Sequence, residues 1–383
     1  MFWPRTPVPR LQRFRPPFCP WPGCPEHLRR TGPYPFRRHG HYLTPRGRRV
    51  PRFRCPACGR LFSRQSFSTT YYLKRPELLL PIAAALQAGS SHRQIARCLG
   101  CAPSTVTRLS ARLGRHALLL IARALRSLQG QLHEPLVVDH FETFELDQSL
   151  ALGIATPVGA FSWFLYGLDP APHRRLLRRH RPRIPPPSGP PGHRGHQHSF
   201  RRLLDQLLPL RAEGRPLRLL TDGLPAYRQA LRRHPLRGLV RLACFPNPKR
   251  AGRGKARSPQ ARARDRAMFP VDALHALLRH SVAHHRRETI AFGRRLNAIL
   301  ERMFLTAVWR NFVKGRSERR PDRTTPAMRL GLAREPWGWR RVLARRLFVA
   351  RESLPEVWGQ LYRREWITPA LPANTTHALH QAF

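Results

Sequence analysis

The spacing of hydrophobic residues changes twice along the chain. Over residues 76–128 the apolar positions recur with a helical period, and from about Pro135 they shorten into runs typical of strands. Over residues 273–312 helical spacing returns, with apolar residues along one face. The pattern therefore predicts a helical region, a sheet region and a second helical region, in that order.

Five strands are predicted in the sheet region. They cover residues 136–138, 152–155, 161–166, 217–220 and 239–245. A helix over residues 203–210 precedes the fourth strand. Residues 171–199, rich in Arg, His and Pro, are predicted to form a low-complexity insertion, and residues 246–266 a basic loop.

The charge of the chain indicates its partner. The 383 residues include 70 Lys and Arg against 21 Asp and Glu, a formal net charge of +49. Such a chain repels itself unless a polyanion neutralises it, and nucleic acid is the obvious polyanion. We therefore expect nucleic-acid binding that weakens as the salt concentration rises. The length suggests two or three domains.

No targeting segment is visible in the sequence. The first residues run into Pro- and Arg-rich sequence without the apolar core of a signal peptide, and the apolar run at residues 118–122 is ended by Arg123. We therefore expect a cytoplasmic, nucleoid-associated protein.

Four of the seven cysteines lie in two close pairs. Four residues separate Cys19 from Cys24, and two separate Cys55 from Cys58. Two tight turns that each offer two thiolates supply the tetrahedral set that zinc prefers. The spacing predicts one structural Zn²⁺ at these four residues, and the alternative is a small subdomain with four unligated thiols.

A helix-turn-helix is predicted over residues 91–109. A first helix begins near Ser91 and ends at Gly100, and a second begins after the following turn. The residues predicted to be buried between the two helices are Ile95, Ala96, Leu99, Val106 and Leu109. Those predicted to face the DNA major groove are Ser104, Thr105, Thr107 and Arg108. The alternative is an ordinary helical hairpin.

A third close pair of cysteines, Cys98 and Cys101, falls inside the predicted helix-turn-helix. We interpret Cys98 as a small helix residue and Cys101 as a turn residue, and we do not expect either to bind metal.

Two acidic residues directly follow predicted strands. Asp139 comes after the apolar run at residues 136–138, and Asp222 comes after residues 219–221 and before Gly223. Two buried carboxylates repel each other, and divalent cations relieve that repulsion while polarising phosphate. The pair therefore predicts a metal-dependent phosphodiester chemistry, against the simpler interpretation of a turn residue and a solvated strand end.

The order of these features resembles that of the DDE-type insertion-sequence transposases. The likeness runs from Cys19 to about Leu332 and includes residues 138–144 (VDHFETF), 221–223 (TDG), 286–292 (RRETIAF) and 324–328 (TTPAM). The resemblance implies an α/β, RNase-H-like catalytic domain with a mixed five-stranded sheet flanked by helices. It also implies two catalytic Mg²⁺ ions held by three carboxylates, of which Asp139 and Asp222 are the first two.

The third carboxylate stays open between three acidic residues. In one group of these transposases a Glu opens a helix about five turns before an Arg-rich run like the one that ends here at Phe292. Asp272 occupies that earlier place and is our prediction, with a helix N-cap as its alternative. Glu288 is the second candidate, with an ion-pair partner as its alternative, and we interpret Glu301 as structural.

The predicted domains follow from these assignments. They are a basic disordered arm (1–18), a zinc ribbon (19–70), a helix-turn-helix domain (71–130), an RNase-H-like catalytic domain (131–312) and a basic C-terminal tail (313–383). By the resemblance, the protein binds double-stranded DNA at transposon ends and target sites as a homo-oligomer, and cleaves and transfers strands. The alternatives are an inactive relic or transcription regulator that binds DNA without cleaving it, and an RNase-H-like nuclease that cuts but does not join.

Overall fold

The computed structural model describes residues 14–44, 47, 49–173, 192–248, 256–286, 289–317 and 322–369. The chain divides into two compact units. The amino-terminal unit lies within Met1–Pro76 and Leu343–Glu352. The sheet unit lies within Glu77–Val342 and Ser353–Phe383.

The amino-terminal unit is a small antiparallel sheet with an aromatic core. Its strands, in spatial order, are β1 (Arg37–Leu43), β2 (Arg49–Arg54) and β3 (Leu61–Ser63). The aromatic rings packed around Phe53 and the cysteines are those of Phe14, Phe18, Tyr34, Phe36, Phe62, Phe67 and Phe348. Phe348 reaches this core from the far end of the sequence. Of the predicted disordered arm, residues 1–13 lie outside the described residues, whereas Phe14 and Phe18 pack in the core.

The sheet unit contains five strands and ten α-helices in its described part. The strands are β4 (Leu136–Phe144), β5 (Ala151–Gly159), β6 (Asp169–Pro172), β7 (Leu217–Thr221) and β8 (Val240–Cys244). The helices are α1 (Leu79–Gln87), α2 (His92–Cys98), α3 (Pro103–Ser127), α4 (Gly192–Leu207), α5 (Pro225–Arg232), α6 (Pro259–Ser281), α7 (Leu296–Val308), α8 (Pro326–Arg329), α9 (Trp339–Val342) and α10 (Glu356–Arg363).

The five strands form one mixed sheet in the order β6-β5-β4-β7-β8. The central strand β4 runs antiparallel to β5 and parallel to β7, and β7 runs parallel to β8. Successive residues of β4 point to opposite faces of the sheet. One face meets α4 and α5 and the other meets α6, as shown by the contacts of His140 with Ser199 and Tyr227, and of Phe141 with His275.

Four of the five predicted strands are confirmed, and the third is wrong. The apolar residues Phe164, Leu165 and Tyr166 are buried, as expected for a strand. They do not form one, because Leu165 makes only an isolated bridge, to Val158. The third strand is β6, with the sequence Asp-Pro-Ala-Pro. Its prolines are tolerated because β6 is an edge strand, and the buried Asp169 is held by Arg202 at 2.7 Å.

The predicted helix-turn-helix segment belongs to the same compact unit as the sheet. Its second helix, α3, continues to Ser127 and packs along α7. The two helices cross closely at Gly114, where a Cβ atom would lie 2.4 Å from the carbonyl oxygen of Glu301. The sequence predicted residues 71–130 as a domain of their own, whereas α1–α3 share the core of the sheet unit.

Two helices begin earlier than the sequence predicted. Helix α4 starts at Gly192, inside the predicted insertion, whose residues 174–191 lie outside the described residues. Helix α6 starts at Pro259, inside the predicted basic loop, and is capped by Ser258. None of the helices in the described ranges is both long and apolar enough to cross a membrane.

Candidate carboxylate and metal sites

Asp139 and Asp222 lie at adjacent positions on neighbouring parallel strands. Val138 of β4 pairs with Thr221, the last residue of β7. Asp139 is the next residue of β4, and Asp222 directly follows the end of β7. Paired residues of parallel strands share a face, so both carboxylates lie on the face that meets α6. The alternation of the sheet and the register of one strand pair therefore bring together two residues that are far apart in sequence.

Asp139 is held in a partly buried, polar position. Its Oδ1 accepts a hydrogen bond from the backbone N–H of His140 at 2.7 Å. The pKa of the Asp139 carboxyl is raised to about 7, first by burial and then by the negative charges of Asp222 and Asp272, against the opposing effects of the His140 hydrogen bond and the Arg264 charge. Both acidic residues therefore lie close enough to act on Asp139 electrostatically.

His275 of α6 faces Asp139 with a bare nitrogen. The Thr156 hydroxyl donates its proton to the carbonyl oxygen of Asp139, so it accepts a hydrogen bond from His275 Nε2 at 2.8 Å. Burial lowers the pKa of His275 to about 3, so its ring is neutral and Nδ1 carries a lone pair. This nitrogen lies 3.7 Å from Asp139 Oδ2. Two electron-pair donors thus face each other, an arrangement that a proton or a cation stabilises.

Both carboxylate oxygens of Asp222 accept hydrogen bonds. Its Oδ1 accepts a hydrogen bond from the backbone N–H of Leu224 at 3.1 Å, across Gly223, which has a φ of +89°. Its Oδ2 accepts one from the Asn247 side chain at 3.3 Å. The interpretation of Asp222 as a turn residue is therefore correct for Oδ1. Oδ2 contacts only the Asn247 amide, which a ligand could replace.

Asp272 lies in the interior of α6, so its alternative interpretation as a helix N-cap is wrong. Its carboxylate forms an ion pair with Arg264, two turns earlier on the same helix. Glu288 lies outside the described residues. Glu301 is buried and pairs with Arg115 at 3.1 Å, in agreement with its structural interpretation. Among the candidates that the structure describes, only Asp272 lies near Asp139 and Asp222.

The three aspartates do not converge on a single point. Within the described ranges, two groups bring three or more ligand atoms to within 4.8 Å of one another, and the aspartates are not one of them.

The four cysteines of the amino-terminal unit form the first of these groups. Cys19 Sγ lies 3.8 Å from Cys58 Sγ, and Cys24 Sγ lies 3.7 Å from Cys55 Sγ. Sulfur ligands at 2.3 Å from a tetrahedral Zn²⁺ are about 3.8 Å apart. Burial raises the pKa of the Cys19 thiol, which disfavours the thiolate form. A bound metal would favour the thiolate, because only that form is a ligand. The four residues can therefore hold a structural metal such as zinc, as the spacing predicted.

Cys98 and Cys101 are placed apart from this site. Cys98 is the last residue of α2 and is exposed, and Cys101 lies in the turn before α3. Neither belongs to a group of metal-ligating atoms in the part of the chain that the structure describes.

The second helix of the predicted helix-turn-helix, α3, presents polar residues to solvent. Ser104, Thr107 and Arg108 are exposed and Thr105 is partly exposed, whereas Val106 and Leu109 are buried. Thr107 is already engaged, since its hydroxyl donates to the carbonyl of Pro103 and contacts His92 at 3.0 Å. The amino-terminal turns of α3 therefore offer Ser104, Thr105 and Arg108 as free contacts.

Sequence reasoning missed a second group of ligand atoms, formed by Glu142, His173 and His196. The Glu142 side chain is half exposed, whereas Glu145 is buried. Glu142 is contacted by the two histidines, and Glu145 is buried against Arg295 at 3.4 Å. The sequence carries no spacing signal for these contacts, because their partners lie on distant elements.

Comparisons with protein-family models, curated proteins and solved structures gave no match for this chain.

Proposed function

We propose that the chain is a DDE-type transposase that binds DNA and catalyses metal-dependent strand cleavage and strand transfer. The observation that carries the proposal is the placement of Asp139 and Asp222 on neighbouring parallel strands with Asp272 of α6 acting on the same face. The mixed five-stranded sheet flanked by helices agrees with the RNase-H-like domain that the resemblance implies.

The residues present fit two Mg²⁺ ions. Carboxylate oxygens are the ligands that Mg²⁺ prefers, and a cation would offset the repulsion that Asp222 and Asp272 exert on the Asp139 carboxylate. When bound, Mg²⁺ supplies Lewis-acid polarisation of the phosphate and activation of a nucleophile. Asp139, Asp222 and Asp272 are the residues that hold the ions.

Other residues of the chain prepare this site. Arg264 neutralises Asp272 in the structure described here. If Asp272 held a cation instead, the Arg264 guanidinium would be available to bind a phosphate oxygen, for which its planar donor geometry is suited. His275 is fixed by Thr156 and keeps its lone pair toward Asp139.

DNA binding is assigned to basic and polar surfaces outside the carboxylate site. The exposed residues at the start of α3 are proposed to read the major groove, and the net charge of +49 supplies phosphate contacts. The four-cysteine unit is proposed to be a zinc ribbon with a structural role, because protein would fill all four zinc positions. Transposon-end and target DNA are the proposed partners of a homo-oligomer.

A supercoiled-plasmid assay tests the proposal. The plasmid carries the DNA that flanks the reading frame, and reactions run with and without Mg²⁺. A transposase gives Mg²⁺-dependent cleavage at the ends and joined products, whereas a nuclease gives cleavage without joining. DNA binding without cleavage indicates a transcription regulator or an inactive relic. Either of the last two results overturns the assignment of strand transfer.

A further inference from the structure

Glu142, His173 and His196 meet on the face of the sheet opposite to Asp139. Glu142 lies three residues after Asp139 on β4, so its side chain points the other way. His173 directly follows the edge strand β6, and His196 lies in the second turn of α4. Three separate elements of the sheet unit thus contribute one side chain each.

The distances among the three residues match those of metal ligands. Glu142 Oε1 lies 3.1 Å from His196 Nε2, and Glu142 Oε2 lies 3.4 Å from His173 Nε2. Ligands about 2.05 Å from a tetrahedral Zn²⁺ are about 3.3 Å apart. All three ligand atoms lie within 4.8 Å of one another.

The tautomer of His173 is set for metal binding. Its Nδ1 lies 3.0 Å from the carbonyl oxygen of Ala171, which only accepts hydrogen bonds, so Nδ1 carries the proton. In the neutral ring Nε2 therefore holds a lone pair aimed at the Glu142 carboxylate. Two acceptors facing each other repel unless a proton or a cation lies between them. A carbonyl that fixes the far nitrogen of a ligating histidine is a common feature of metal sites.

Two glycines make room for the group. Gly153 of β5 is the register partner of Glu142, and a Cβ there would lie 2.9 Å from His196 Nε2 and 3.1 Å from Glu142 Oε1. Gly195 lets α4 approach the end of β6, because a Cβ there would lie 2.4 Å from the carbonyl oxygen of Pro172. Any larger residue at either position displaces the ligands or the helix that carries His196.

We propose that Glu142, His173 and His196 bind a first-row transition-metal dication such as Zn²⁺. Two imidazoles and one carboxylate form a donor set suited to these ions rather than to Mg²⁺. The two histidine side chains are about nine-tenths buried while that of Glu142 is half exposed, which leaves one side open for a water ligand. The bound ion joins the amino-terminal end of α4 and the end of β6 to the central strand.

Metal analysis of the purified full-length chain, loaded with Zn²⁺ and dialysed, tests this site. We expect two ions per chain: one at the cysteines and one here. Cys55→Ser should lose the first, and His173→Ala with His196→Ala should lose the second. His198→Ala is the matched control, because His198 lies on the same helix but is exposed. A wild-type chain that holds only the ion removed by Cys55→Ser overturns the proposal.

Two further variants guard against a folding defect in the double variant. Glu142→Gln changes a half-exposed side chain and should weaken Zn²⁺ binding at this site at least about tenfold. Gly153→Ala should weaken it as well, by crowding both ligands. Unchanged affinity in both variants contradicts the site.

Bound Co²⁺ distinguishes the two sites by spectroscopy. Thiolate ligands give a sulfur-to-cobalt charge-transfer band, whereas nitrogen and oxygen ligands give only ligand-field bands. We expect the Cys55→Ser variant to keep the ligand-field bands of the Glu142 site. The proposal does not rest on transposase activity, because Asp139→Asn lies on the opposite face and should keep the ion. Loss of all cobalt bands in Cys55→Ser would overturn the inference.

Discussion

Asp139 follows Val138 and Asp222 follows Thr221, and Val138 and Thr221 are paired on neighbouring parallel strands. The pairing places both carboxylates side by side, with Asp139 inside β4 and Asp222 directly after the end of β7. Their charges act on each other, since Asp222 raises the pKa of Asp139 beyond the effect of burial.

Neutralising either strand aspartate should abolish cleavage without removing DNA binding. In Asp139→Asn and Asp222→Asn the shape is kept but a charged metal ligand is lost, so we expect the Mg²⁺-dependent rate to fall by on the order of 10²–10³-fold or more. DNA affinity should hold or rise slightly, because negative charge is removed. The plasmid assay and a gel-shift titration measure the two effects. A variant that cleaves at the wild-type rate excludes its residue as a ligand.

Asp272→Asn should also stop cleavage. Because Asp272 lies inside α6 rather than at its start, Asn does not preserve its role. The matched control is Asp265→Asn on the same helix, where an exposed aspartate pairs with Arg257 and should be dispensable. Glu288→Gln is tested beside them. Retained cleavage in Asp272→Asn with loss in Glu288→Gln would assign the third carboxylate to Glu288.

Asp139→Asn should stabilise the metal-free protein at alkaline pH. The folded pKa of about 7 lies above the ordinary value of 3.8, so the folded state holds the proton more tightly. The stability from this proton is complete below pH 4 and is lost as the pH rises through about 7. Since Asn carries no charge, we expect the variant to exceed the wild type by on the order of 1–2 kcal/mol at pH 8 and to match it near pH 4.

Thermal unfolding with and without Mg²⁺ measures this effect. The ion should raise the Tm of the wild type at pH 8 and have a smaller effect on Asp139→Asn, because ligand binding to the folded state stabilises it. An equal Mg²⁺ effect on both proteins would argue against a metal at Asp139.

Cys55→Ser should lose the zinc of the amino-terminal unit and loosen its aromatic core. Cys55 is buried beside Phe53, and structural zinc contributes directly to folding in small domains. We expect zinc loss together with a reduced near-ultraviolet circular dichroism signal. Cys98→Ala, at an exposed residue, should retain both. Zinc loss in Cys98→Ala with retention in Cys55→Ser would reverse the assignment.

Arg108→Ala should weaken specific DNA binding. Arg108 is exposed near the start of α3, and loss of a base contact costs about 1–3 kcal/mol. Arg232→Ala, at an exposed arginine on α5, is the matched control for a lost positive charge. Affinities for the specific site and for random DNA, measured at several salt concentrations, separate the two contributions. If Arg108→Ala lowers the affinity for both DNAs equally, Arg108 contacts a phosphate and not a base.

The sequence by itself determined the local features of this protein. The cysteine spacing predicted the four-thiol cluster, since each pair lies within one turn. Alternating and helical apolar patterns predicted β4, β5, β7, β8 and the buried face of α2 and α3. Asp139 and Asp222 were predicted because each follows an apolar run, although β4 continues past Asp139 to Phe144 and only Asp222 follows the end of its strand. These features depend on residues only a few positions apart, so the spacing of the residues directly indicates which side chains are close together or buried.

Only the tertiary structure decided the rest. Strand β6 has a sequence that strand propensity opposes, and it forms because the edge of the sheet tolerates proline and Arg202 satisfies Asp169. The meeting of Glu142, His173 and His196 depends on the register of β4 with β5 and on the approach of α4 allowed by Gly195. Such contacts join residues distant in sequence, so no local pattern encodes them, and packing and strand register alone bring them together.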